Sequence, residues 1–339
     1  MINDTDIEEL KQLTSILLDP NNSVYRLRPE VLALTDLFNH SSQFTFDIAN
    51  DISDGESLTS DGLAVSPKMA AMCVDDYIRT IMFIRGLNAA IIEKLNVISS
   101  RPIHVLYVGC GPFAAQAVPL MTKFTASEVQ FTLLDIHNRS LSCVKNVINH
   151  FNLASSVCDI INTDAANYVI QADAKPDVIV MEIMQNCLHK EPQVTVSRNL
   201  VIQAPSATLV PQSIRIELAL INTQNDLAHN QESDSPLSHK VLGEVFCLSK
   251  SSILNWQKQP SSNVLTGNKV TIQGPIEQGF QPMLKTQVTI FKEHQISNYD
   301  SGLTTPIPLS EYSNAKVDEN VQFSYTLGVC PTLVAKVTS

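Results

Sequence analysis

The sequence predicts an α/β protein. A mostly parallel sheet carries helices on both faces, with a small helical extension before it and a β-rich region after it. Three observations predict this arrangement. Short apolar runs alternate with helical patterns between residues 104 and 181, as expected for parallel strands buried on both faces. The successive runs lead into glycine or an acid, at Gly109, Asp135, Asp164 and Glu182. After Thr208 the pattern changes to polar–apolar alternation, which marks half-exposed strands. The expected divisions are 1–66, 67–211 and 212–339.

In chain order, Ile7 to Leu18 has apolar residues at near-helical spacing, and Pro20 ends that helix. The stretch from Asn50 to Asp61 is acidic and rich in serine and glycine, so it reads as a loop. From Pro67 to about Val97 one long helix is expected, with Met69, Met72, Ile78, Met82 and Ile84 among its apolar positions. His104 to Val108 is the first strand of the sheet and runs into Gly109-Cys110-Gly111, after which Ala114 to Phe124 is helical. Val129 to Leu134 is a second strand ending at Asp135, and Ser140 to Phe151 a helix. Val157 to Asn162 and Asp177 to Met181 complete the expected sheet, ending before Asp164 and at Glu182. Beyond these, 214–221, 270–273, 286–291 and 321–327 read as strands, and 222–240 as a polar loop or insertion.

Composition narrows the function. The chain has 339 residues, a net charge of −11 and only 6% aromatic residues. That charge disfavours a broad phosphate-binding surface, so no nucleic-acid partner is expected, and it favours cationic ligands. Apolar runs fall far short of the roughly 20 residues needed to cross a bilayer, so no membrane partner is expected either. The acidic N-terminus does not resemble a signal peptide. Seven cysteines without a CxxC pair argue against a disulfide framework and a thiolate metal site. A cytoplasmic protein without a bound metal is the expectation.

The glycine pair suggests a nucleotide site. A strand ending in Gly-x-Gly and opening toward a helix lets the backbone approach a ligand closely, because no Cβ intrudes. Asp135 lies 24 residues beyond Gly111, at the end of the next strand, where a carboxylate can accept both ribose hydroxyls. Asp164 stands where an adenine edge would be met, or else caps a helix. The domain is Rossmann-like on this reading. An NAD site would want a complete GxGxxG, whereas position 113 is Phe and position 114 is Ala.

The fourth strand runs into Glu182-Ile183-Met184-Gln185-Asn186-Cys187-Leu188-His189-Lys190-Glu191. Two carboxylates on such a loop can hold a guanidinium through charge-assisted hydrogen bonds. Taken singly, Glu182 could be a structural acceptor, Glu191 a solvated helix start, and Arg79 an ordinary surface arginine. Cys110 and Cys187 read as small core residues, His189 as an incidental histidine or a proton shuttle, and Trp256 as a packing residue.

This segment resembles the double-E loop of the protein arginine methyltransferases, E-x-M-x-x-C-L-x-x-E, at Glu182, Met184, Cys187, Leu188 and Glu191. Asp76-Tyr77-Ile78-Arg79-Thr80 resembles the family's D-x-V-R-T helix, and residues 204–221 its passage into a barrel-like C-terminal domain. The resemblance covers residues 67 to about 221. It implies S-adenosyl-L-methionine as cofactor, with Arg79 on its carboxylate, Gly109 and Gly111 against its methionine and Asp135 on its ribose. Glu182 and Glu191 would be the catalytic pair. It also implies a head-to-tail homodimer, with 222–262 as the candidate arm. The first motif lacks the family's acidic residue and third glycine, the aromatic N-terminal helix is not evident, and no T-H-W occurs; its nearest counterpart is Asn298-Tyr299-Asp300-Ser301-Gly302. The expected activity is methyl transfer to a guanidino group, of free L-arginine, a small relative or a protein arginine. The alternatives are another small-molecule O- or N-methyltransferase and a cofactor-binding regulatory subunit.

Overall fold

The computed structural model describes residues 4–45, 52–53, 55–223, 239–258 and 263–338. Two helices, α1 (Asp4–Leu18) and α2 (Arg28–Ser42), form the N-terminal extension. They are tied to the rest of the chain at both ends. Arg85 donates to the carbonyls of Leu17 at 2.6 Å and Asp19 at 2.9 Å, satisfying the free end of α1. Phe38 of α2 stacks on Phe113, with centroids 5.7 Å apart, and Phe44 meets the same ring edge-on. A hairpin of β1 (Ser57–Leu58) and β2 (Leu63–Ala64) follows, its first strand within the stretch expected to be a loop. Residues 50, 51 and 54 of that stretch lie outside the described residues.

The long helix expected from Pro67 to about Val97 is two helices. The first, α3 (Pro67–Met72), is capped by the Ser66 hydroxyl, which accepts from the Met69 N–H. A 3₁₀ turn at Cys73–Asp75 then bends the chain into α4 (Tyr77–Leu95). The break falls at Asp76, whose ψ of 76° is not helical and whose carboxylate accepts from Ser301 Oγ at 2.6 Å. Thr80 Oγ1 donates to the Val74 carbonyl across the bend. A tertiary contact interrupts the periodic apolar pattern, and that contact is invisible to local periodicity.

Five parallel strands form the central sheet: β3 (Ile103–Val108), β4 (Val129–Asp135), β5 (Val157–Asn162), β6 (Val178–Met181) and β7 (Thr208–Val210). Their order is β5-β4-β3-β6-β7. β3, β4 and β6 are buried runs as expected, but β5 is an edge strand with exposed residues at Cys158 and Asp159. β7 was not among the expected strands; it is three residues long and stops before Pro211. The crossovers carry α5 (Val118–Lys123), α6 (Asn138–His150) and α7 (Gln193–Gln203). α5 is shorter than the Ala114–Phe124 expected, because residues 111–117 form turns and Pro119 starts the helix. Register pairs Val108 with Met181, so the strand exits at Gly109 and Glu182 are neighbours. Ligands collect at such a crevice, where the strand order reverses.

The C-terminal region is antiparallel. β8 (Ser213–Ile221), β9 (His239–Ser249), β11 (Gln281–Phe291) and β12 (His294–Ile296) make one sheet in the order β12-β11-β8-β9. β13 (Ile307–Pro308) adds to β11. β10 (Val264–Thr271), β14 (Asn320–Thr326) and β15 (Thr332–Thr338) make a second sheet. No hydrogen-bonded ladder joins the two among the described residues, so the barrel-like expectation takes the form of two packed sheets. Phe246 of β9 stacks on Tyr325 of β14 and on Trp256 of α8 (Lys250–Trp256), which makes Trp256 a packing residue. Within the candidate arm at 222–262, residues 224–238 and 259–262 lie outside the described residues; the rest is largely β9 and α8, which the expected polar loop did not include.

Candidate active site

At the carboxyl ends of the parallel strands lies a cavity of about 370 Å³, lined by the glycine loop, the strand-end acids and the acidic loop together. Of the seven residues singled out from sequence, all seven line it: Arg79, Gly109, Gly111, Asp135, Asp164, Glu182 and Glu191.

The glycine loop is set by local geometry. Gly109 and Gly111 adopt φ of 66° and 61°, a left-handed backbone that glycine takes without penalty. A Cβ at Gly109 would overlap the Ile183 side chain, so the approach of β3's exit to β6's exit depends on glycine. The incomplete glycine motif has a physical account. Phe113 fills the core between α2 and the sheet, and Ala114 keeps a left-handed φ of 45° even with a side chain. Asp135 holds this loop in place. One carboxylate oxygen accepts from the Gly111 N–H at 2.9 Å and the other from the His137 N–H at 2.8 Å. Asp164 accepts from the Ala166 N–H at 2.9 Å and so caps a turn, not the helix that sequence allowed.

Two polar atoms in the same wall have no hydrogen-bond partner: Gln116 Oε1 and Ser140 Oγ, on residues only 6% and 1% exposed. A buried polar group without a partner costs about 1–3 kcal/mol, which a ligand can recover. The Tyr107 hydroxyl lies by the Gln116 backbone and feels the charges of Glu182 and Arg79, so Gln116 belongs to the Arg79 end of the cavity. Sequence reasoning passed over both residues. The available signal was weak, a single polar residue in the apolar stretch from Phe113 to Leu120.

The acidic loop leaves β6 and returns at α7. Glu182 is partly buried and ion-paired with the Arg79 guanidinium. Burial works against the charge on Arg79, but Glu182 more than offsets it and holds the guanidinium charged; burial raises the Glu182 carboxyl while Arg79 opposes the rise. Arg79 is the residue that the resemblance sets on a cofactor carboxylate. It lines the cavity, but its guanidinium is already shared with an acid. Glu191 is also buried, 7% exposed, which replaces the solvated-helix reading. Its carboxyl is pushed up to about 8, by burial first and by the nearby Glu182 charge second. Two acids face one space, and burial together with the Glu182 charge favours the protonated form of Glu191.

The loop that carries them is strained and externally held. Cys187, Leu188 and Lys190 have φ of 53°, 56° and 63°, unusual for residues with side chains. C-terminal residues stabilise this path. Thr286 Oγ1 accepts from the Cys187 N–H at 2.9 Å, Tyr325 donates its hydroxyl to the Leu188 carbonyl at 2.6 Å, and the Lys190 N–H donates to the Pro331 carbonyl at 2.8 Å. The two side-chain anchors lie 99 and 137 positions away in sequence, beyond the reach of motif reading. His189 pairs through Nδ1 with Thr332 Oγ1 and is not part of the cavity wall. Cys110 and Cys187 are buried and their thiols pushed up, Cys187 to about 11, so neither is a nucleophile at neutral pH. The Asn298–Gly302 stretch reaches the site through Gly302, whose N–H, like Ser301, binds Asp76.

Fold and cavity together define an α/β protein whose ligand crevice is closed on one side by a doubly acidic loop. Among solved structures the chain is similar to PRMT6 (12% identity, TM-score 0.46), with 75% of this chain and 95% of that one covered. It is similar also to protein arginine methyltransferase 10 of Arabidopsis thaliana (13% identity, TM-score 0.43, 75% and 86% covered) and to PRMT6-SAH (11%, 0.43, 75% and 96%). No protein-family model and no curated protein matches the sequence. No helix among the described residues is long and apolar enough to cross a membrane.

Proposed function

We propose that this chain is an S-adenosylmethionine-dependent methyltransferase acting on a guanidino nitrogen. One observation carries the reading: the glycine loop with Asp135 and the acid pair Glu182–Glu191 line a single cavity, so a nucleotide-like donor and a planar cation would meet there. The residues present fit such a donor. Asp135 would take the ribose hydroxyls with its remaining lone pairs, and Gly109 and Gly111 allow close contact. Arg79 and the unpartnered Gln116 Oε1 match the carboxylate and ammonium of an amino-acid end. S-adenosylmethionine, when bound, supplies a methyl group on a positively charged sulfur.

The acids supply orientation. Glu182 and Glu191 hold the guanidinium by charge-assisted hydrogen bonds and fix one nitrogen for in-line attack. A bound cation favours the ionised form of Glu191, and that carboxylate can take the proton released after transfer.

The Arg79–Glu182 pair favours a second reading, in which the acid mouth is already satisfied by an internal guanidinium and the acceptor is another small molecule. Incubation with S-adenosylmethionine and either guanidino compounds or hydroxylated and amine metabolites separates the two, with S-adenosylhomocysteine release as readout. Turnover confined to guanidino compounds is expected, and Glu182→Gln should lower kcat/KM by roughly 10²- to 10³-fold. Turnover confined to the other compounds selects the second reading. A homodimer using 222–262 as its arm is part of the same proposal, and light scattering of the purified chain tests it.

A further inference from the structure

The hairpin of β1 and β2 lies over the acidic loop. The Leu63 N–H donates to the Lys190 carbonyl at 2.8 Å. Gly62, with φ of 143°, sits so close to the loop that a Cβ there would come within 2.8 Å of the Lys190 oxygen and 2.9 Å of the Pro192 nitrogen. Thr59, Leu63 and Ala64 of this hairpin line the cavity on the side of the acid pair. The acid mouth is therefore roofed by the chain's own backbone.

Glu56, immediately before β1, lines the same cavity and is close enough to raise the Glu191 carboxyl by its charge. Its carboxylate makes no ion pair among the described residues, and its side chain is exposed at the rim. Among the described residues, five carboxylates line the cavity against one arginine, which is paired to Glu182. The charges of two of them, Glu182 and Glu56, both reach Glu191. Independent of the acids, the buried and unpartnered Gln116 Oε1 in the same wall points to a ligand in this cavity. An acidic rim beyond an acidic floor matches a small molecule with two cationic ends, and among the described residues it offers no unpaired lysine or arginine to a substrate carboxylate.

We propose that the substrate is a compact guanidino compound bearing a second cation, an ammonium group, and that Glu56 is the residue that selects for it. The guanidinium lies between Glu182 and Glu191, and the ammonium reaches Glu56 under the hairpin. This rests on the guanidino reading above.

The test compares agmatine, which has a guanidinium and an ammonium, with 4-guanidinobutyrate, which has a carboxylate in place of the ammonium. An arginine-containing peptide is the third probe. Agmatine should be methylated with the higher kcat/KM, and Glu56→Gln should reduce the agmatine to 4-guanidinobutyrate ratio of kcat/KM by about two- to fivefold, as for an exposed ion pair. That reduction should shrink as salt is added. A ratio unchanged by Glu56→Gln, or a peptide preferred over agmatine, overturns the proposal while leaving guanidino methylation in place. Methylation of none of the three overturns the guanidino reading itself, and this inference with it.

Discussion

Replacing Glu191 by glutamine isolates the electrostatics of the acid pair. In the folded chain its carboxyl is pushed up to about 8, while in an unfolded chain it titrates at the ordinary value of 4.5. Between those two values the folded state binds the extra proton, so stability must fall as pH rises. The contribution is fully present below about 4.5 and is lost by the time pH passes about 8. At about 1.4 kcal/mol per pH unit, the whole change is on the order of 5 kcal/mol. Glutamine keeps a neutral hydrogen-bonding group at the site and cannot lose a proton. Urea unfolding of both proteins across this window should show the wild type losing stability relative to Glu191→Gln, with a slope approaching 1.4 kcal/mol per pH unit. Parallel stability–pH curves would mean that Glu191 ionises freely in the folded protein, and the picture of two acids crowded into one space would fail. A guanidinium bound there should reverse the effect. Agmatine binding at about pH 7 should release close to one proton, measured by calorimetry in buffers of different ionisation enthalpy.

Two further predictions concern the scaffold. Gly109→Ala combines a left-handed backbone with overlap on Ile183, so it should cost about 1–3 kcal/mol in thermal or urea unfolding and weaken S-adenosylmethionine binding in calorimetry; an unchanged affinity would separate the glycine loop from the donor. Tyr325→Phe removes the hydroxyl that binds the Leu188 carbonyl, with an expected loss of about 1 kcal/mol in stability and a larger fall in turnover than in donor affinity; equal losses in the two would show that the acid loop does not depend on that anchor.

The sheet was legible because its strands are buried on both faces and its signal is local. β3, β4 and β6 read directly as apolar runs ending at Gly109, Asp135 and Glu182. β7 escaped because three residues give no period to read. The break before α4 escaped because its cause is Ser301, 225 positions away. Gly109, Asp135, Asp164 and Glu182 were legible as types at or just past strand ends, Arg79 and Glu191 only through the motifs that carry the resemblance, and the fold brings all seven into one cavity. Their partners were not. Nothing near Arg79 in sequence announces that it pairs with Glu182, and the roles of Glu56 and Gln116 follow only from where the hairpin and the turns after Gly111 come to rest.

Because the loop bearing Glu182 and Glu191 is fastened by Thr286, Tyr325 and the carbonyl of Pro331, the chemistry cannot assemble when the first two-thirds of the polypeptide has been made. A nascent chain leaving the ribosome would complete its glycine loop well before its acid pair, which must wait for the last two strands. Synthesis that stops short of β14 would leave Gly109, Gly111 and Asp135 in place but the loop of Glu182 and Glu191 without its fastenings, so the C-terminus acts as the proofreader of the crevice.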